Sequence, residues 1–112
     1  MFDGQPKRVD VHDREAFEKW RESLPYTAQR LLNMRLVRLE AGNPGKPEIG
    51  WKSLGDGVYE LKLDDGVGYR VYVAFSGAHI ILLLFGGAKP KQNADIAAAK
   101  KLWAEIQSTS SP

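Results

Sequence analysis

The feature that most restricts the fold is a change of hydrophobic period across residues 42–50. Upstream, apolar residues recur at helical spacing; from Trp51 onward they alternate. Between the two regimes lies Gly42-Asn43-Pro44-Gly45, three breakers in four residues that stop a helix. A chain that switches from a period of 3.6 to a period of 2, and returns to helical spacing near its end, keeps helices and strands in separate stretches. That order predicts the α+β class.

The elements follow from the same reading. Lys7 to Val11 reads as a short strand on the alternation of Val9 and Val11. Asp13 is a suitable N-cap for a helix over Arg14 to Leu24, with Phe17, Trp20 and Leu24 at i, i+3 and i+7. Pro25 ends it. Thr27 then reads as the cap of a second helix over residues 28–41, whose stripe is Ala28, Leu31, Leu32, Met34 or Arg35, Leu36 and Leu39. Val58 to Leu63 places Tyr59, Leu61 and Leu63 on one face and Val58, Glu60 and Lys62 on the other. After a turn over residues 64–68, Tyr69 to Phe75 sets Val71 and Val73 against Arg70 and Tyr72. Ser76-Gly77 reads as a turn, and His79 to Phe85 is apolar on both faces, as suits a strand covered on both sides. Gly86-Gly87 opens a loop, and Asn93 caps a last helix over Ala94 to Gln107, with Ile96, Ala99, Leu102, Trp103 and Ile106 inward. The expected fold is an antiparallel sheet, a short N-terminal strand plus a three-stranded meander, with an N-terminal helical hairpin and a C-terminal helix. The hairpin should cover Leu61, Leu63, Val71 and Val73. The face bearing Glu60, Lys62, Arg70 and Tyr72 should stay at least partly open.

At 112 residues the chain is expected to form one domain, with residues 108–112 fraying. It has no cysteine, which excludes disulfides, cysteine-ligated zinc and a thiol nucleophile. Its longest apolar run, Ala78 to Phe85, is far short of the roughly 20 residues of a membrane helix. The polar start, Met1 to Asp10, shows no secretory signal, so the cytoplasm is the expected location and no membrane partner is expected. The net charge of +2 is small, and a nucleic-acid role must rest on a local patch.

Such a patch is visible. Arg70 and Tyr72 share the polar face of one strand, Lys62 lies on the matching face of its neighbour, and Lys52 precedes the meander. Lys89 and Lys91 follow the last strand, and Arg30, Arg35 and Arg38 lie on the second helix. Cleavage of RNA by its own 2′-hydroxyl needs a proton acceptor, positive charge for the phosphorane and a donor for the 5′ oxygen. Lysine, arginine and tyrosine can share those tasks, and an aromatic ring can stack a base. A plain salt pair such as Glu60–Arg70 on a half-exposed sheet accounts for the same residues without chemistry. His12 and His79 stand alone, so no metal site is expected, and no glycine pair opens a helix as a phosphate loop requires. No cofactor is implied.

From about residue 17 to 106 the chain resembles the RelE/ParE toxin superfamily, in particular its HigB-like addiction-module killer branch. The carriers are Arg38-Leu39-Glu40-Ala41-Gly42-Asn43-Pro44-Gly45, the block Lys52 to Leu63 with Gly57-Val58-Tyr59-Glu60-Leu61, then Gly68-Tyr69-Arg70-Val71-Tyr72-Val73. Leu82 to Gly87 follows, with Lys89, Gln92, Asp95 and Ile96. The resemblance implies a toxin of a type II toxin–antitoxin pair, either a ribosome-dependent mRNA interferase or a gyrase inhibitor. It also implies a cognate antitoxin, often a helix-turn-helix protein, through which alone the toxin meets operator DNA. By position, Arg70 matches the arginine that contacts the scissile phosphate, Lys62 stands where arginine is usual, and Lys89 matches the basic residue after Gly-Gly. The expected catalytic set is Arg70, Lys62, Lys89 and Tyr72, with Lys52, Lys91, Arg35 and Arg38 contacting RNA. Ala88 departs from the usual aspartate, and no counterpart of the C-terminal tyrosine of RelE is present. These departures keep two alternatives open: a gyrase poison without ribonuclease chemistry, and a non-toxic corepressor.

Overall fold

A computed structural model of the chain describes residues 4–42, 51–66, 68–77 and 80–110. The elements run β1 (Arg8–Val11), α1 (Arg14–Ser23), α2 (Tyr26–Glu40), β2 (Trp51–Gly55), β3 (Val58–Leu63), β4 (Tyr69–Phe75), β5 (Ile80–Ala88), a 3₁₀ turn (Lys89–Lys91) and α3 (Gln92–Ser110). The α+β class, the helical hairpin, the meander and the C-terminal helix are as the sequence predicts. The loop expected over residues 42–50 lies, apart from Gly42, outside the described residues, and so does His79.

The sheet differs from the expectation in two ways. It has five strands in the order β1-β5-β4-β3-β2, and it is mixed, because β1 pairs parallel with β5 while every other pair is antiparallel. The additional strand, β2, joins β3 through Asp56-Gly57, whose φ values of 55° and 81° give the left-handed two-residue turn that matches strand twist. In β2, Trp51 and Leu54 fall on opposite sides of the sheet, as strand alternation requires, and the register shifts between Ser53 and Gly55.

One sheet face carries the core expected for it. Leu61, Leu63, Val71, Val73, Ile81 and Leu83 pack under Phe17, Leu24, Ala28, Leu32 and Leu39 from the hairpin. Asp13 caps α1 through a 3.0 Å bond from the Ala16 N–H to its Oδ1. Helix α2 begins at Tyr26 behind Pro25, so Thr27 is not its cap; the Thr27 hydroxyl instead donates to Asp65 at 2.6 Å. Of the two candidates for the α2 stripe, Arg35 is the half-buried one and Met34 is exposed.

The opposite face, expected to be at least partly open, is open only at its Lys62 end. Helix α3 lies across it and seals Val58, Tyr72, Ala74 and Leu84 with Ala99 and Trp103. The alternation of charged residues in β3 and β4 predicted solvent on this side, but the apolar stripe of α3 needs a surface to cover. The sheet supplies it.

A bulge in β5 completes the arrangement. Tyr72 pairs with Phe85 and Val73 with Leu83, leaving Leu84 as the extra residue. The strand continues through Gly86 and Gly87, which were expected to open a loop. The shift turns Gly86 toward α1, where a Cβ would overlap the Trp20 ring, and Gly87 toward α3, where it would overlap the Asp95 carboxylate. The two glycines let helices on opposite sides approach the same strand. Helix α3 then starts at Gln92 directly after the 3₁₀ turn, one residue ahead of the expected Asn93 cap.

Candidate functional site

Where β3 ends and β4 begins lies a cavity of about 290 Å³ lined by Lys62, Asp64, Asp65, Gly66, Gly68, Arg70 and Lys89. Its construction follows from the register. Lys62 and Arg70 are paired across β3 and β4, and Arg70 is paired with Gly87 of β5. The α3 face of this row is thus cationic on two strands and bare on the third. The turn after β3 carries Asp64 and Asp65, and the turn after β5 carries Lys89.

Arg70 forms the inner wall, with its side chain only 5% exposed. Its Nε donates to Glu60 Oε1 at 3.3 Å and its Nη1 donates to the Gly68 carbonyl at 3.2 Å. The pair is a diagonal neighbour contact on the sheet. Both partners are nearly sealed from water, so each charge depends on the other. Gln92, the first residue of α3, donates its side-chain amide to both Glu60 oxygens, at 3.1 and 3.0 Å. The Gly68 carbonyl also accepts from the Lys89 N–H at 2.9 Å, so one backbone oxygen holds the arginine and the start of the basic turn. Gly68 has φ +82°, which lets its carbonyl point inward, and a Cβ there would lie 3.1 Å from Arg70 Nη1.

The remaining predicted residues divide by position. Lys62 reaches the cavity rim and pairs with Asp64 at 3.2 Å. Lys89 and Lys91 are exposed in the turn, and the charge of Lys91 partly offsets the effect of burial on Asp95, whose carboxyl is pushed above the usual carboxylate range. Lys52 is exposed on the edge strand β2, in register with Glu60 rather than with the cavity row. Arg35 is half-buried on α2; burial, then repulsion from Arg38, lowers its pKa, and attraction to Asp64 opposes that shift. Arg38 is exposed on the same helix. Neither arginine lines the cavity.

Tyr72 is the largest departure from the sequence reading. It is fully buried and packs against Phe85 in a tilted pair with ring centroids 5.2 Å apart, so it presents no ring for a base. Its hydroxyl has no hydrogen-bond partner among the described residues. Burial, and after it the charges of Glu60 and Asp95, raise its pKa well above the ordinary tyrosine value. A phenol that resists ionisation under a helix is poorly placed to accept a proton. The sequence reading also missed Gln92 and Asp64 as neighbours of the cations. Only the diagonal spacing of Glu60 and Arg70 signalled the buried network. Among the described residues no group of three His, Asp or Glu could hold a metal ion, and no helix is long and apolar enough to cross a membrane.

A basic cavity at a sheet end, floored by an arginine–glutamate pair and bordered by a glycine-lysine turn, is carried by the Gly-Val-x-Glu-Leu, Gly-Tyr-Arg and Gly-Gly-x-Lys blocks. Residues 19–104, which contain all three, match the model of the family described as "Phage derived protein Gp49-like (DUF891)". An uncharacterized protein of Haemophilus influenzae strain Rd is 40% identical over 99 residues, covering 88% of this chain and 96% of that protein. Residues 19–104 span the second half of α1, α2, the meander and most of α3. The chain therefore belongs to the Gp49-like family of phage-derived proteins, a toxin family of the addiction-module killer kind.

Proposed function

We propose that this protein is the toxin of a type II toxin–antitoxin pair of the RelE/HigB-like kind, acting in the cytoplasm as a ribosome-dependent mRNA interferase. The observation that carries the reading is the cavity lined jointly by Lys62, Arg70 and Lys89. Arg70 stabilises the phosphorane as charge accumulates on the scissile phosphate, and Lys62 and Lys89 add positive charge at the rim. Lys89 or Lys91 is the proton donor to the 5′ oxygen. Lys52, Arg35 and Arg38 lie outside the cavity and contact flanking RNA or ribosomal phosphates. Tyr72 supports the floor instead of stacking. The cognate antitoxin neutralises the protein and connects it to operator DNA. Induced expression should arrest growth, and primer extension in a cell-free translation extract should reveal message cut at codons. Arg70→Ala should abolish both, and an Arg70→Ala protein that still cleaves would end the assignment.

A second reading has its own observation. Arg70 is already bonded to Glu60, Tyr72 is sealed, and the two carboxylates of the lining are engaged, Asp64 by Lys62 and Asp65 by Thr27. That suits a protein that poisons a macromolecule such as gyrase by binding alone. Arrest accompanied by lost supercoiling, with translation intact, would select it.

A further inference from the structure

The guanidinium of Arg70 offers five donors in a rigid fork, and what its neighbours take decides what a ligand can use. Glu60 takes Nε and the Gly68 carbonyl takes Nη1. Nη2 bonds to no described residue, and it is not among the sealed polar atoms. It is the donor left for the cavity. An aspartate or glutamate facing an arginine commonly binds it bidentately, through two parallel N–H···O bonds, and that would consume another donor of the fork. Here Glu60 binds through one contact, and its second oxygen, Oε2, is held by Gln92 at 3.0 Å. Gln92 sits directly behind Lys89-Pro90-Lys91, so the same amide that occupies Glu60 also ties the basic turn to the sheet.

We propose that Gln92 is a positioning residue of the anion site: by engaging both oxygens of Glu60 it keeps that carboxylate from chelating Arg70, and so reserves Arg70 Nη2 for a phosphate oxygen. This rests on the reading of the cavity as a phosphate site. Gln92 touches neither the cavity nor a ligand there; it acts through Glu60. Its position in the first residue of α3 makes the docking of that helix the condition for a competent arginine.

The test uses the full chain, labelled with ¹⁵N, as wild type and as Gln92→Leu, with a 2′-O-methyl oligoribonucleotide that cannot be cleaved as the probe. Gln92 is only partly buried, so the leucine variant should keep the wild-type melting temperature. In the free variant the Arg70 guanidinium resonances should shift as Glu60 turns to bind it through both oxygens. Affinity for the oligonucleotide should fall about tenfold, the worth of one charged hydrogen bond. Arg70 resonances that superpose on those of the wild type would overturn the proposal, and so would unchanged affinity in a variant whose resonances have moved. If neither protein binds the oligonucleotide and the Arg70 resonances still shift, the positioning stands and the RNA reading fails. A variant that melts early is replaced by Gln92→Ala, judged by the same resonances.

Discussion

Gly87 and Asp95 occupy the space of one side chain: the Asp95 carboxylate lies where a Cβ on residue 87 would project. The contact brings the first turn of α3 onto β5. Gly87→Ala should therefore turn the Asp95 carboxylate aside and cost about 1 kcal/mol, the low end of overpacking. Urea unfolding measures it. Combining Gly87→Ala with Asp95→Ala should recover part of the loss, because the two positions share one volume. If the cycle shows no coupling, the carboxylate is not the obstacle.

Asp95 also sets a pH dependence. Burial raises its carboxyl pKa, with the charge of Lys91 opposing. A raised pKa means the folded state binds the proton more tightly than the unfolded chain. The associated stability is fully present below the unfolded carboxylate range and is lost as pH rises through the folded value. Asp95→Asn should thus be more stable than wild type at pH 7. The difference should shrink as the pH is lowered below 4, where both carry an uncharged side chain. Thermal melts across that window decide the sign.

The Arg70–Glu60 pair should behave as a buried ion pair. Glu60→Ala leaves a sealed guanidinium without its counter-charge and should cost about 3–5 kcal/mol in chemical denaturation. Replacing both partners, Glu60→Leu with Arg70→Met, should restore most of the stability while removing the anion site. A double variant as unstable as the single one would show that the pair contributes more than mutual neutralisation.

Tyr72→Phe should be unusual among core changes in stabilising the protein. It removes a hydroxyl that is buried without a partner and leaves the ring packing in place, for a gain of about 1 kcal/mol. A loss of stability on thermal melting would mean that the hydroxyl is satisfied in solution.

Oligonucleotide binding should divide the lysines. Lys62→Ala and Lys89→Ala should each reduce the salt slope of single-strand binding by about 0.7, the worth of one phosphate contact. Lys52→Ala, out of register with the cavity, should weaken binding less. Equal effects at all three would indicate a diffuse surface instead of a built site.

The local pattern of the chain was readable because each element obeys its own period. The hairpin stripe from Phe17 to Leu39 and the alternation around Leu61 and Val71 name the core of one face without further information. Alternation says which residues share a side, though, and not what covers that side. Glu60, Arg70 and Tyr72 share one face of the sheet, and the burial of Tyr72 with Ala99 and Trp103 and the bond of Glu60 to Gln92 depended on where α3 returns. The β5 bulge was invisible for a related reason, since a run apolar on both faces carries no register. Of the candidate site, the cations and their adjacency were legible. The Gln92 amide that ties Glu60 to α3 was not, because hydrogen bonding between distant segments leaves no periodic trace.

The parallel pairing of β1 with β5 has a consequence for the life of the chain before it is released. Arg8 finds its partner at Ile80, so β1 is made before β5 and stays unpaired until β5 exists. Long-range pairing of this kind closes late. The cavity row needs β5 for Gly87 and α3 for Gln92, so the basic site also assembles only after both have been made. A growing copy therefore carries the cations of the row before it carries the contacts that aim them.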